Sequence, residues 1–156
     1  MLNSFFCTKT KQIYFVSVSH KPCTLDKTHK NHLSFPIDDL LVYPLTKLWE
    51  LGVETQSCCS GHLHRKSIPH VSFVREVKGE EDKTFFKKIY KIAKELENQI
   101  IKVLDAYEWD ANKKKKIMFR VEIPIKVFEA ADIKGKLNLQ QKFILFLLEL
   151  HKFLKP

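Results

Sequence analysis

The stretch DKTFFKKIYKIAKELENQIIKVL, residues 82–104, decides the fold. Phe85, Ile89, Ile92, Leu96, Ile100 and Val103 recur at helical spacing along it, and Glu80, Glu81 and Asp82 stand where a helix N-terminus favours negative charge. Lys83, Lys87, Lys91 and Lys94 run along another side. A helix with one apolar stripe must cover another element, and the segments on either side of it read as strands. Ile68–Val74 is β-branched and aromatic, with Val71 and Phe73 on one face. Tyr107–Trp109 and Lys116–Ile123 read as the arms of a hairpin around Asp110, Ala111, Asn112 and Lys113, and Pro124 ends the ladder or begins an edge.

Further out, residues 11–19 predict a strand. Leu40, Leu41, Leu45, Leu48, Trp49 and Leu51 predict a helix over Ile37–Leu51, with Asp38 and Asp39 at its start and Gly52 closing it in a left-handed conformation. Pro44 removes a hydrogen bond inside that span, so the first turn is expected to stand apart. Val53–Ser57 is a short strand, and Cys58 to Lys66 reads as a loop. A last helix over Leu137–Leu154 carries Phe143, Ile144, Phe146, Leu147, Leu148, Leu150, Phe153 and Leu154, more apolar surface than one stripe uses. Burial against its own domain is the favoured explanation, and a homodimer through residues 137–154 is the alternative. The order of elements predicts an α+β fold: a mostly antiparallel sheet covered by helices on one face, ferredoxin-like in outline, with an extra C-terminal helix. A chain of 156 residues with no linker-like stretch predicts a single domain, 1–156.

Lys and Arg number 27 against 18 Asp and Glu, a formal charge of +9, and only Arg65, Arg75 and Arg120 are arginine. Such a field attracts polyanions, RNA or other nucleic acid first among them. A lysine-rich chain also arises from base composition alone, and here the excess is shared by both halves of the sequence. Few arginines argue against a site built on many guanidinium forks. The longest apolar run, Phe143–Leu148, is far too short to cross a bilayer, and Lys9 and Lys11 interrupt the start before a signal-peptide core could form. A cytoplasmic protein with no membrane partner is expected, its four cysteines thiols or metal ligands rather than disulfides. The chain has no Gly-rich phosphate loop, no His-Glu-x-x-His and no Gly-x-Ser-x-Gly, which removes support for several large enzyme classes.

All four cysteines and six of the seven histidines fall within the first 70 residues. One cluster is His20, Cys23, His29 and His32; the other is Cys58, Cys59, His62 and His64, with His70 beyond. Imidazole and thiolate are the preferred ligands of zinc, so His20, Cys23, His29, His32, Cys58, Cys59 and His62 are candidate ligands of a zinc ion, although neither spacing is a finger signature. Cysteines as small buried hydrophobes and histidines as polar loop residues explain the same positions without metal. The second loop has another reading. Successive backbone N–H groups over Ser57, Cys58, Ser60 and Gly61, with His62, His64, Arg65 and Lys66 around them, suit an anion nest for phosphate. A nucleophilic cysteine activated by a neighbouring histidine is a third. Lys113, Lys114, Lys115 and Lys116 are candidate phosphate contacts, and Tyr107, Trp109 and Phe119 beside them could stack bases or serve as core.

Ile37-Asp38, Leu41, Pro44-Leu45, Leu48, Trp49, Gly52-Val53, Thr55, Ser57-Cys58 and Gly61-His62 resemble a pattern in small, mostly uncharacterised bacterial and phage proteins. The resemblance covers Ile37 to His62 and implies a shared helix-strand-loop unit. The Ser-Cys-x-Gly core is also similar to a Ser-Cys-Ser-Gly-Arg stretch of wybutosine-synthesising tRNA methyltransferases, which use S-adenosylmethionine; here His62 stands in place of the arginine and Cys59 is inserted before Ser60. Together these features favour a protein that binds RNA or a nucleotide phosphate through loop 57–70, with modification of that RNA as a further step. The alternatives are a non-enzymatic, phage-encoded interaction or inhibitor protein acting on a host protein or nucleoprotein, and a zinc-binding structural module.

Overall fold

The computed structural model describes residues 3–7, 13–16, 34–37, 39–63 and 67–156, with side-chain surroundings from residue 40 onward except at Ala111. The chain groups into two compact units, Met1–Val42 and Tyr43–Pro156. In the first, β1 (Asn3–Cys7) lies between β2 (Ile13–Val16) and β3 (Ser34–Ile37) in an antiparallel sheet. Phe5 stands opposite Tyr14 on one side and Pro36 on the other, and an edge strand such as β3 tolerates a proline that cannot donate to a ladder.

The helix expected from Ile37 divides into a 3-10 turn, Asp39–Leu41, and α1 (Val42–Glu50). Pro44 sits in the first turn of α1, where its missing N–H has no helical acceptor to lose. Gly52, at φ +86°, closes α1 as expected. Its N–H donates to Trp49 O at 2.9 Å and that of Val53 to Leu48 O at 3.2 Å, the paired bonds of a Schellman cap.

The larger unit is built on a second antiparallel sheet. β4 (Thr55–Ser60), β5 (Pro69–Glu76) and β8 (Lys114–Glu122) lie side by side, and the far edge of β8 is shared by β6 (Lys102–Val103) and β7 (Tyr107–Ala111). Three helices complete it: α2 (Glu80–Leu96), α3 (Ile125–Glu129) and α4 (Ile133–Leu154). Val71 and Phe73 of β5 pair with Val121 and Phe119 of β8, all buried, and Phe86 and Tyr90 of α2 meet Phe119 edge-on. α4 packs along α2, and Phe143, Phe146, Leu147, Leu150 and Leu154 are buried, which accounts for most of its apolar surplus. The α+β class, the antiparallel sheet with its helical cover and the additional C-terminal helix match the sequence reading.

Several boundaries differ from that reading, the start of α4 at Ile133 and not Leu137 among them. The helix over 82–104 stops at Leu96, because the Asn98 side chain accepts the N–H groups of Ile100 and Ile101 at 2.8 Å each and the Glu97 carboxylate accepts that of Val103 at 2.7 Å. These side chains offer the backbone an alternative to the helical ladder, so Val103 joins β6 instead. Cys58, Cys59 and Ser60 belong to β4, not to a loop: they pair with Val71, His70 and Pro69.

The hairpin between β7 and β8 turns on Asn112 and Lys113, at φ 50° and 63°, with Ala111 opposite Lys114. Two successive positive φ values define a type I′ turn, which asparagine enters readily and lysine does not. Lys113→Gly is expected to stabilise the protein by about 0.5–1 kcal/mol, read as a higher denaturation midpoint, because relief of the left-handed penalty outweighs the added freedom of the unfolded chain. A lower midpoint would contradict this turn geometry.

Candidate nucleic-acid interface

The zinc expectation is corrected. Among the described residues no three His, Cys, Asp or Glu side chains converge to hold a metal ion. The reason is the strand: consecutive residues of β4 point to opposite faces, so Cys58 and Cys59 cannot ligate together. The Cys59 thiol is instead enclosed by its own hairpin, 3.0 Å from Ser67 Oγ and 3.6 Å from His62 Nε2, and it accepts the Gly61 N–H at 3.3 Å. His20, Cys23, His29 and His32 lie outside the described residues.

Two of the amides that an anion nest would need already have acceptors in this hairpin: Gly61 N–H goes to Cys59 Sγ at 3.3 Å, and His62 N–H donates to Ser67 O at 3.0 Å. Gly61 does adopt the expected left-handed backbone, at φ +86°, and its carbonyl accepts Gln140 Nε2 at 2.8 Å. Ser57 is tied to the sheet by an Oγ–Oγ hydrogen bond to Ser72 at 3.0 Å. His64, Arg65 and Lys66 lie outside the described residues.

The four lysines from 113 to 116 do not form one patch. Lys113 occupies the turn; beyond it, strand alternation sends Lys114 and Lys116 to one face of β8 and Lys115 to the other. Lys115 is paired there with Glu108, 3.0 Å away, and that bond holds the Glu108 carboxyl below its ordinary range. α2 packs on the face that carries Phe119, which is fully buried and unavailable for stacking. Lys94 is committed to Val103 O at 3.1 Å and to Glu97 at 3.5 Å, and Lys83 approaches Glu80 at 3.9 Å.

The opposite face of the sheet gathers a different set of groups. Tyr107 is opposite Met118 and Trp109 opposite Lys116, so both aromatic rings stand on the side of β8 away from α2, with centroids 5.6 Å apart. Tyr107 is 52% exposed. Further along β8 the same face presents Arg120 opposite Ser72 and Glu122 opposite His70 on β5 and Lys102 on β6. Lys102, Lys114, Lys116 and Arg120 outnumber the two carboxylates, Glu76 and Glu122, that share this face with them.

Arg120 and Glu122 form an ion pair that lacks a hydrogen bond. Arg120 Nε lies 3.2 Å from Glu122 Oε1, but the geometry is not that of a hydrogen bond, and Nε is buried without one. His70 is held below its ordinary pKa by burial and by the Arg120 charge, against the opposing pull of Glu122 and of its bond to Ile68. Its ring nitrogen Nδ1 donates to Ile68 O at 3.0 Å, so Nε2 is left as the acceptor in the neutral ring.

Arg120, Glu122 and His70 escape a motif reading because they are separated in sequence and resemble no short signature. The signal was present as alternation: Lys116, Met118, Arg120 and Glu122 interleave with Ile117, Phe119 and Val121. A period of two on a strand with one buried face puts the polar set on the other. Protein-family models give no match to this chain, and neither the curated proteins nor the solved structures compared with it give one.

Proposed function

We propose that this protein binds single-stranded RNA on the face of the larger sheet away from α2. The observation that carries the reading is the Tyr107–Trp109 pair on an outer strand, Tyr107 exposed and Trp109 half-buried, flanked by Lys114 and Lys116. Tyrosine and tryptophan left on a sheet face beside lysines supply what single-strand binding requires: π-faces for bases and cations for the phosphates between them. The proposal keeps the polyanion partner inferred from composition and moves the contact from loop 57–70 to β7 and β8. The Cys59 thiol fits a reducing compartment, so the cytoplasm is the proposed location.

The test is titration of a short fluorescent oligouridylate at low salt. Tyr107→Ala and Trp109→Ala are each expected to weaken binding by about 1–3 kcal/mol, the contribution of one stacked base. Replacing Lys114 and Lys116 together by glutamine should flatten the dependence of log K on log salt by about 0.7 per lost phosphate contact. Absence of binding, or binding indifferent to both aromatic substitutions, would remove the reading.

A non-enzymatic interaction protein is the second reading, supported by Leu145 and Phe153, which remain 61% and 54% exposed on α4. Light-scattering mass tests its homodimeric form. A monomer whose mass is unchanged at high concentration would remove that form. Among the described residues no helix is long and apolar enough to cross a membrane.

A further inference from the structure

We infer that Arg120 and Glu122 form a nucleobase-edge subsite that prefers guanine. The inference rests on the RNA-binding reading above and gives that surface a specificity. Arg120 follows Met118, the partner of Tyr107, by one side-chain repeat along the same face of β8, about 6.7 Å. A nucleotide next to one stacked on Tyr107 therefore meets the guanidinium and carboxylate side by side.

Three observations point to a ligand that completes this pair. First, Arg120 Nε is buried and makes no hydrogen bond, although Glu122 Oε1 is 3.2 Å from it. The buried donor is held by the charge of Glu122 alone, a costly arrangement in a folded protein, and a ligand-binding role for the pair accounts for it. Second, the two arginines among the described residues are used differently. Arg75 is consumed by Asp82 at 2.9 Å, Glu54 at 3.0 Å and Gly52 O at 3.1 Å, a clamp joining β5 to the start of α2. Arg120 has no such set of partners. Third, the Glu122 side chain retains 18% exposure and the Arg120 side chain 36%, so both are reachable while held in place by the sheet.

The chemistry selects the base. A carboxylate accepts two parallel donors, and guanine presents N1–H and the N2 amino group together on one edge. Its O6 and N7 accept from a guanidinium. Adenine and cytosine each offer one amino donor beside an acceptor nitrogen, which a carboxylate repels, and uracil offers a single N3–H between two carbonyls. A bare phosphate is the poorer ligand here, because Glu122 would stand against it. One guanidinium fork is enough for this role, so the scarcity of arginine is no obstacle.

The experiment compares short uridine-rich oligonucleotides carrying G, A, C or U at one central position, titrated into the unaltered protein at neutral pH. The guanine oligonucleotide is expected to bind roughly tenfold tighter than the other three. In Glu122→Gln, and independently in Arg120→Gln, the ratio of guanine to adenine affinity should fall toward one, with melting curves recorded to show that each variant is folded. Equal affinities for G and A in the unaltered protein overturn the inference while leaving the RNA-binding surface in place. A guanine preference that survives both substitutions also overturns it. Failure of every oligonucleotide to bind overturns the surface itself.

Discussion

Phe119→Ala is expected to remove about 3–5 kcal/mol of stability, a large share of the roughly 5–15 kcal/mol that holds a domain of this kind folded. Phe119 is fully buried on β8 and is the ring on which three others converge: Phe73 stacks on it at 4.9 Å, while Phe86 and Tyr90 meet it edge-on at 5.4 and 5.2 Å. Alanine forfeits the apolar area of the ring and leaves a cavity bounded by other aromatic side chains, whose neighbours on β5 and α2 hold them from collapsing into it. The lost aromatic pairings, about 0.5–1.5 kcal/mol each, are part of that loss. Urea unfolding followed by far-ultraviolet circular dichroism reads the loss. Tyr107→Ala serves as the internal contrast, because an exposed ring on an outer strand should move the midpoint little. A Phe119→Ala loss below about 1 kcal/mol would mean that the sheet and α2 do not share this core. The same strand carries Arg120 and Glu122 on its other face, so the core residue is also what fixes the register of the proposed site.

That two-faced strand shows which parts of the molecule are legible in the sequence. The existence of α2 and of the strands β5 and β8 follows from apolar periodicity, because a repeating pattern averages over many residues and survives local exceptions, although the buried side of α2 runs through Phe86, Ile89 and Ala93 and leaves Phe85 and Ile92 half-buried. Gly52 and Gly61 are legible for a different reason: each is the residue type that takes a positive φ without penalty, and both do so. What periodicity conceals is competition by side chains. Nothing in the spacing of Ile100 and Val103 says that Asn98 and Glu97 will capture their backbone and end the helix at Leu96. The concentration of cysteine and histidine misleads more seriously. Proximity in sequence suggests a shared ligand, but a strand turns Cys58 and Cys59 to opposite faces, and the two described imidazoles of that cluster find separate neighbours: His62 lies by the Cys59 thiol and His70 bonds to Ile68 O. The groups that do share a surface, from Trp109 to Glu122, are brought together by sheet register, which a linear motif does not encode.

The two left-handed glycines also supply the sharpest remaining contrast, because they share a backbone angle and differ in everything around it. Both lie at φ +86°. A Cβ on Gly52 would meet nothing within 4 Å, whereas one on Gly61 would stand 2.7 Å from Phe128 Cζ and 2.8 Å from Pro69 Cδ. Phe128 is fully buried and Pro69 is held in β5, so neither can yield without moving its element. Gly52→Ala should therefore cost only the left-handed penalty, about 1–2 kcal/mol. Gly61→Ala carries the same penalty plus overpacking of about 1–3 kcal/mol. It also displaces the carbonyl that accepts Gln140 Nε2, leaving an amide on a side chain that is 5% exposed without that bond. The expected order is a loss for Gly61→Ala at least twice that for Gly52→Ala, measured as unfolding free energies under identical conditions. Equal losses would show that backbone strain alone matters at both sites and that α3 and α4 do not press on the β4–β5 hairpin. The larger loss at Gly61 would locate the tolerance of this fold: the end of the β4–β5 hairpin is fastened from three sides by Phe128, Pro69 and Gln140, so functional variation is better accommodated on the opposite side of β8, where Tyr107 and Lys114 are exposed.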